Sequence, residues 1–276
     1  MPECTHDCSS CGQNCGERKE PQSLLAKLNP HARVQRVIAV CSGKGGVGKS
    51  MVTALLAAAA QKTGLQAGVL DADITGPSIP KMFGVYERAQ GDQSGVYPVR
   101  TASGVQLMSL NLLLDNETDP VIWRGPLITG TVTQFWTEVV WDNVDILFVD
   151  MPPGTGDTTL TVFQSLPVDG IVFVTSPQEL VGMIVEKAVN MARTMNLPLT
   201  ALVENMSYFT CTDCGKTHDI FGKSRVEEMA KKFGISATAR LPLNPALAAA
   251  ADRGGIEGLH LAQLAPILQA VTQIKK

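Results

Sequence analysis

Residues Gly43-Lys-Gly-Gly-Val-Gly48-Lys49-Ser50 have the spacing G-x-x-x-x-G-K-S, and no other feature limits the fold of this chain as strongly. Such a loop works only between a β-strand and the first turn of a helix, because its backbone N–H groups must turn inward around phosphate oxygens. Both neighbours are expected here. Val34-Gln-Arg-Val-Ile-Ala-Val-Cys41 reads as a short β-branched strand, and an alanine- and leucine-rich helix is predicted from Lys49 to Thr63. Gly43, Gly45, Gly46 and Gly48, with Val47 between them, let the backbone curl, while the helix that follows points its positive end at the anion. Lys49 is placed to neutralise the β and γ oxygens, and the Ser50 hydroxyl to take a position on Mg²⁺.

Further apolar runs follow at 66–70, 144–149, 170–175 and 199–203, separated by helical candidates near 127–139, 157–166 and 178–195. Strands apolar along their whole length, alternating with helices, predict an α/β fold: a mostly parallel P-loop NTPase sheet with helices on both faces. The segment 84–120 is the least regular, and Gly104-Val-Gln-Leu-Met-Ser109 is expected to give a hairpin or an extra strand. Residues 1–30 carry no helical or strand period and read as a short cysteine-rich N-terminal arm, leaving 31–276 as one ATPase domain. The apolar stretch Leu259–Leu268 contains Pro266 and few basic residues, so it is expected to be a packing helix rather than a membrane-surface one.

Carboxylates sit where such a sheet binds ligands, at the C-terminal ends of its strands. Asp71 and Asp73 close the second strand. Asp150 ends the strand Ile146–Val149 and opens the loop Met-Pro-Pro-Gly154-Thr-Gly-Asp157. Asp150 is expected in the magnesium shell, and the Gly154 N–H where it can sense the γ-phosphate, which makes the loop a switch. Asp157 is a candidate helix cap.

The net charge of −3 and the absence of a basic, aromatic-rich stretch argue against a nucleic-acid partner. No apolar run reaches the roughly 20 residues of a membrane span, and the N-terminus has no secretory pattern, so a cytoplasmic protein without a membrane partner is expected. In that compartment seven cysteines are not a disulfide framework. Cys211-Thr-Asp-Cys214 supplies two thiolates, whereas a 4Fe–4S cluster or a tetrahedral zinc wants four ligands. A symmetric dimer would supply them with the cluster on its axis. A redox dithiol is a further reading, and His218 is near enough in sequence to be a third ligand. Cys4, Cys8, Cys11 and Cys15 form a second set, C-x3-C-x2-C-x3-C, suited to a 4Fe–4S cluster or to zinc, with His6 as a substitute ligand. Cys41, alone on the first strand, reads as core.

Lys44-Gly-Gly-Val-Gly-Lys-Ser50 resembles the deviant phosphate loop of the MinD, ParA and nitrogenase-iron-protein class. That resemblance implies an ATP-dependent homodimer in which Lys44 reaches the nucleotide of the opposite subunit. It also implies that Asp73 orients the attacking water, Asp71 serves the Mg²⁺ shell and Asn205 reads adenine. The segment Glu204 to Gly222, with Trp123-Arg-Gly-Pro126 and the Asp150 loop, is similar to the signature of the Mrp/ApbC family of iron–sulfur cluster carriers over about residues 30 to 270. Thr212 stands where that family commonly has proline, and the glycine run expected after Phe221 is missing. The family resemblance implies weak ATP hydrolysis and transfer of a bridging cluster to apo acceptor proteins. A MinD/ParA-type positioning ATPase and a nucleotide-gated redox protein are the alternatives.

Overall fold

The strand that leads into the phosphate loop, β1 (Val37–Ser42), is buried along its whole length. In the computed structural model, which describes residues 24–74, 76–114, 125–154, 157–177 and 181–274, it lies in the middle of the main sheet. Its chain order continues with α1 (Lys49–Lys62), β2 (Ala67–Asp71), α2 (Ile79–Met82), the small hairpin β3 (Gln90–Asp92) and β4 (Gly95–Tyr97), then β5 (Val99–Arg100) and β6 (Gln106–Met108). After these come α3 (Gly125–Thr137), β7 (Ile146–Asp150), α4 (Asp157–Ser165), β8 (Gly170–Thr175), α5 (Val181–Thr194), β9 (Leu199–Thr210) and β10 (Thr217–His218). The C-terminal part adds α6 (Val226–Phe233), β11 (Ala237–Pro242), α7 (Pro245–Asp252) and α8 (Ala265–Thr272).

Among the described residues the sheet runs β10-β9-β8-β1-β7-β2-β6-β5, with β11 also paired to β9. β1, β2, β6, β7, β8, β9 and β11 pair in parallel, while β5 and β10 are antiparallel edge pieces. Burial on both faces explains the unbroken apolar runs. Along β1, Val37, Ala39 and Cys41 face one core with Phe135, Trp136, Trp141, Phe163 and Val185, which belong to α3, α4, α5 and the segment after α3. Ile38 and Val40 face the other, with Val52, Leu55 and Leu56 of α1 and Ile267 and Val271 of α8. The stretch expected as a C-terminal packing helix thus packs, through Ile267 and Leu268.

The irregular 84–120 segment contributes a strand: Gln106–Met108 joins β2 in parallel, and β5 folds back on it. Val34 is not part of β1 but bridges singly to Val144. The region read as an arm is already anchored before residue 30. The Ala26 N–H donates to the Ser165 carbonyl, Trp136 Nε1 donates to the Ala26 carbonyl, and the Asn29 amide donates to the carbonyls of Ser94 and Glu138. Cys4, Cys8, Cys11, Cys15, His6 and Trp123 lie outside the described residues, as does the Asp157 side chain.

β9 runs well past the stretch predicted for it. β11 matches it residue for residue from Ala237↔Ala201 to Arg240↔Glu204, and the next pair is Pro242↔Tyr208. Asn205, Met206 and Ser207 therefore stand opposite Leu241 alone. Such a bulge re-aims side chains, and here Met206 takes φ 54°, a left-handed conformation uncommon for a side-chain-bearing residue.

Candidate functional site: a phosphate loop and a cysteine hairpin on one strand

Parallel pairing decides which carboxylates meet. The register sets Asp71 beside Asp150 across β2 and β7, and Val40 beside Asp150 across β1 and β7, so the phosphate loop and both acids share the C-terminal edge. Gly48 starts α1 at φ 80°, and a Cβ there would stand 2.2 Å from Asn205 Nδ2. The position therefore takes glycine for two independent reasons. Asn205 Nδ2 donates to the Val47 carbonyl at 2.9 Å, so this side chain, aimed by the β9 bulge, braces the loop itself.

The Lys49 ammonium lies 2.7 Å from Asp150 Oδ2 and 3.6 Å from Asp73 Oδ2. Ser50 Oγ donates to Asp150 Oδ2 at 2.6 Å, and Thr53 Oγ1 to Asp150 Oδ1 at 2.7 Å. Asp150 is fully buried, and these three partners satisfy both of its carboxyl oxygens. Asp71 is different. It is buried too, but Ser109 Oγ and the Asp73 N–H are its hydrogen-bond donors, at 3.1 and 3.2 Å. Burial first, and the neighbouring Asp150 charge second, push its carboxyl up to about 8. Asp73 faces the loop through Lys49, whereas Asp71 sits behind it against β6.

Two loops flank this edge. The Gly154 N–H donates to the Ser42 carbonyl at 2.8 Å, with Gly154 at φ 94°. Ser42 Oγ donates to the carbonyl of Lys44, whose side chain is half-buried. Cys41 is buried behind the loop, and burial pushes its thiol up and out of chemistry, as expected of a core residue.

Farther along β9, Phe209 and Thr210 pair with His218 and Thr217 of β10, and the hairpin loop between them carries both cysteines. The Cys211 N–H donates to the Lys216 carbonyl, and the Gly215 N–H to the Cys211 carbonyl, each at 2.9 Å, with Gly215 at φ 68°. This closes a tight knuckle in which the backbone N–H groups of Cys214 and Asp213 point at the Cys211 sulfur. Those donors, with the Cys214 thiol, hold the Cys211 thiol below its ordinary value. Thr212 in the place of proline leaves the turn closed. His218 does not complete a ligand set: among the described residues no group of three or more His, Cys, Asp or Glu is placed for a metal ion. The knuckle offers two thiols, as half of a four-ligand site would.

Thr53 and Ser109 were not singled out from the sequence. Thr53 was findable, since it lies one turn after Lys49 on the same helix face. Ser109 was not, because it reaches Asp71 from the residue just after a strand in the irregular segment.

A lysine- and serine-bearing glycine loop, joined to a strand-end aspartate at the C-terminal edge of a parallel sheet, defines a P-loop nucleoside triphosphatase. Comparison with known proteins narrows the class. The model of the ParA group described as NUBPL iron-transfer P-loop NTPase matches residues 33–276, and this chain belongs to that family and is an ATPase. It is 44% identical over 259 residues to a protein of Clostridium perfringens named iron-sulfur cluster carrier protein, covering 91% of this chain and 90% of that one. Its fold is similar to that of a nucleotide-binding protein of Archaeoglobus fulgidus solved in complex with ADP and with cobalt, at TM-score 0.77 and 40% identity, over 84% of this chain and 91% of the other. The cell division ATPase MinD of Pyrococcus furiosus superposes at TM-score 0.58 with 18% identity, over 87% and 96% of the two chains, which shows a shared fold. Among the described residues no helix is long and apolar enough to cross a membrane.

Proposed function

We propose that this ATPase carries an iron–sulfur cluster on Cys211 and Cys214, holds it between two copies of the chain, and passes it to apo acceptor proteins. The observation that supports this best is the hairpin itself: an exposed, preformed two-thiol knuckle without a third ligand among the described residues. Two thiolates per chain fit a 4Fe–4S cluster shared across a two-fold axis. The names borne by the relatives point the same way. Cys4, Cys8, Cys11 and Cys15 are assigned to a second cluster within each chain, by their spacing.

Each residue of the nucleotide site takes a role in hydrolysis. Backbone N–H groups of Gly43 to Gly48 cradle the phosphates of ATP. Lys49 exchanges its contact with Asp150 for the β and γ oxygens. Ser50 and Asp150 are the pair that would hold Mg²⁺, with Asp71 behind them; the ion supplies charge neutralisation between the phosphates. Asp73, on the open side of Lys49, orients the attacking water. The water oxygen bonds to the γ-phosphorus as the bond from that phosphorus to the ADP oxygen breaks; ADP leaves with the electron pair, and the water gives up a proton to solvent as inorganic phosphate forms. Lys44 of a second copy would add positive charge to the same transition state. The Gly154 N–H exchanges the Ser42 carbonyl for the γ-phosphate when ATP is bound, which links nucleotide state to the loop before α4. Asn205 holds the loop and is the residue assigned to adenine.

Iron, acid-labile sulfide and zinc are measured per chain on anaerobically purified protein, for the wild type and for Cys211→Ala/Cys214→Ala. About six irons per chain, falling to about four in the double variant, is the expected result for one whole N-terminal cluster and half a shared one. Near-stoichiometric zinc with little iron in both would sink the proposal.

A further inference from the structure

The phosphate loop and the cysteine hairpin are fastened to the same short stretch of β9. Asn205 reaches the Val47 carbonyl. Glu204, just before it, and Ser207, two residues after it, contact Arg240. Glu204 is fully buried; its Oε1 accepts from Ser207 Oγ at 2.6 Å and lies 3.9 Å from Arg240 Nε, while its Oε2 has no hydrogen-bond partner. Arg240 Nε donates to Ser207 Oγ at 2.7 Å. The same guanidinium lies 5.5 Å from the centre of the Tyr208 ring and places Nη2 3.6 Å from Asp219, the residue that follows β10. Arg240 thus touches β9 on both sides of the bulge and the return arm of the hairpin.

We infer that Arg240 is a positioning residue for the cysteine hairpin, joining it to the part of β9 that braces the phosphate loop, so that nucleotide binding changes the reactivity of Cys211 and Cys214. This rests on reading the hairpin as the cargo site. The physical argument has two parts. Glu204 is buried and accepts from Ser207 Oγ, which in turn accepts from Arg240 Nε, so the arginine cannot swing away without breaking a buried hydrogen-bonded chain. The residue between the two contacts, Met206, sits at a left-handed φ of 54°, a conformation held by its surroundings rather than by its own preference. A shift of the Val47 carbonyl on nucleotide binding acts on Asn205. Asn205 lies in the bulge, so such a shift passes into the segment that Arg240 ties to Asp219. The planar guanidinium donates to Ser207 and keeps Glu204 and Asp219 within ion-pair distance.

The test is peptide-resolved alkylation by iodoacetamide on the full-length chain, without nucleotide, with MgADP and with a non-hydrolysable MgATP analogue. In the wild type the nucleotide changes the rate at Cys211 and Cys214 by about fivefold or more, the lower end of ordinary coupling between sites. Arg240→Met, and independently Asp219→Asn, reduce that ratio below about twofold while nucleotide affinity stays in place. Asp219 is half-exposed, so its variant keeps the test decisive if loss of Arg240 prevents folding. A wild type indifferent to nucleotide overturns the inference, as do variants that keep the wild-type ratio or lose nucleotide binding. The readout needs no iron. A chain that fails the iron analysis but shows the expected ratios would overturn the cargo reading and leave the role of Arg240 standing.

Discussion

Replacing Asp71 by asparagine should make the nucleotide-free protein more stable at neutral pH, and the gain should vanish in acid. Asp71 ends β2 fully buried, next to Asp150, and its carboxyl is raised from an ordinary value of 3.8 to about 8. The unfolded chain gives up this proton near pH 4, whereas the folded chain keeps it until about pH 8. Between those limits the folded state binds more protons, so stability falls as pH rises. The contribution is complete below about pH 4 and is lost by about pH 8. One pKa unit corresponds to about 1.4 kcal/mol, so the wild type loses roughly 2–3 kcal/mol from this group between pH 5 and pH 7. Asparagine has no such cost. Its Oδ1 can still accept from the Asp73 N–H, and its Nδ2 can donate to Ser109 Oγ once that hydroxyl turns round. Urea unfolding of both proteins at pH 5, 6 and 7, in Mg²⁺-free buffer, measures the difference directly. The stability gap between variant and wild type should widen by about 1 kcal/mol or more for each pH unit. Parallel pH profiles would refute the reasoning, since they would mean that Asp71 is already ionised in the folded state.

Other outcomes follow from the same geometry. Lys49→Met should abolish ATP hydrolysis and also destabilise the fold by about 3–5 kcal/mol, because Asp150 is left buried without its cation; phosphate release and thermal unfolding check the two effects separately. Gly48→Ala should weaken nucleotide binding at least tenfold by fluorescent-ADP titration, since a left-handed alanine costs about 1–2 kcal/mol and its Cβ displaces Asn205 from Val47. In chain free of metal at neutral pH, Cys211 should alkylate faster than Cys214, because the N–H groups aimed at Cys211 favour its thiolate; equal rates in a peptide-resolved assay would refute the knuckle geometry.

The amino-acid sequence by itself determined the fold class and the machinery around the phosphates. An unbroken apolar run must be buried on both faces, and a G-x-x-x-x-G-K-S loop must join a strand to a helix. Hence β1, α1, β2, β7 and β8 fall where Val34–Cys41, Lys49–Thr63 and the later runs predict them, within a few residues. The two-cysteine spacing was equally local, because a knuckle is closed by its own backbone. What only the tertiary structure decided is which distant residues meet. Asp71 and Asp73 are near neighbours in sequence, yet one is buried against Ser109 and the other faces Lys49; the pairing of β6 and β7 on the two sides of β2 decides which partners each meets. β9 read as five residues because its apolar period ends at Val203. Its extension to Thr210 is set by pairing with β11 and β10, which sequence periodicity does not encode. Arg240 was invisible for the same reason. A lone arginine on a late strand acquires meaning only when the bulge at Met206 brings Glu204, Ser207 and Asp219 around it, since contacts between strands depend on register and register belongs to the whole sheet.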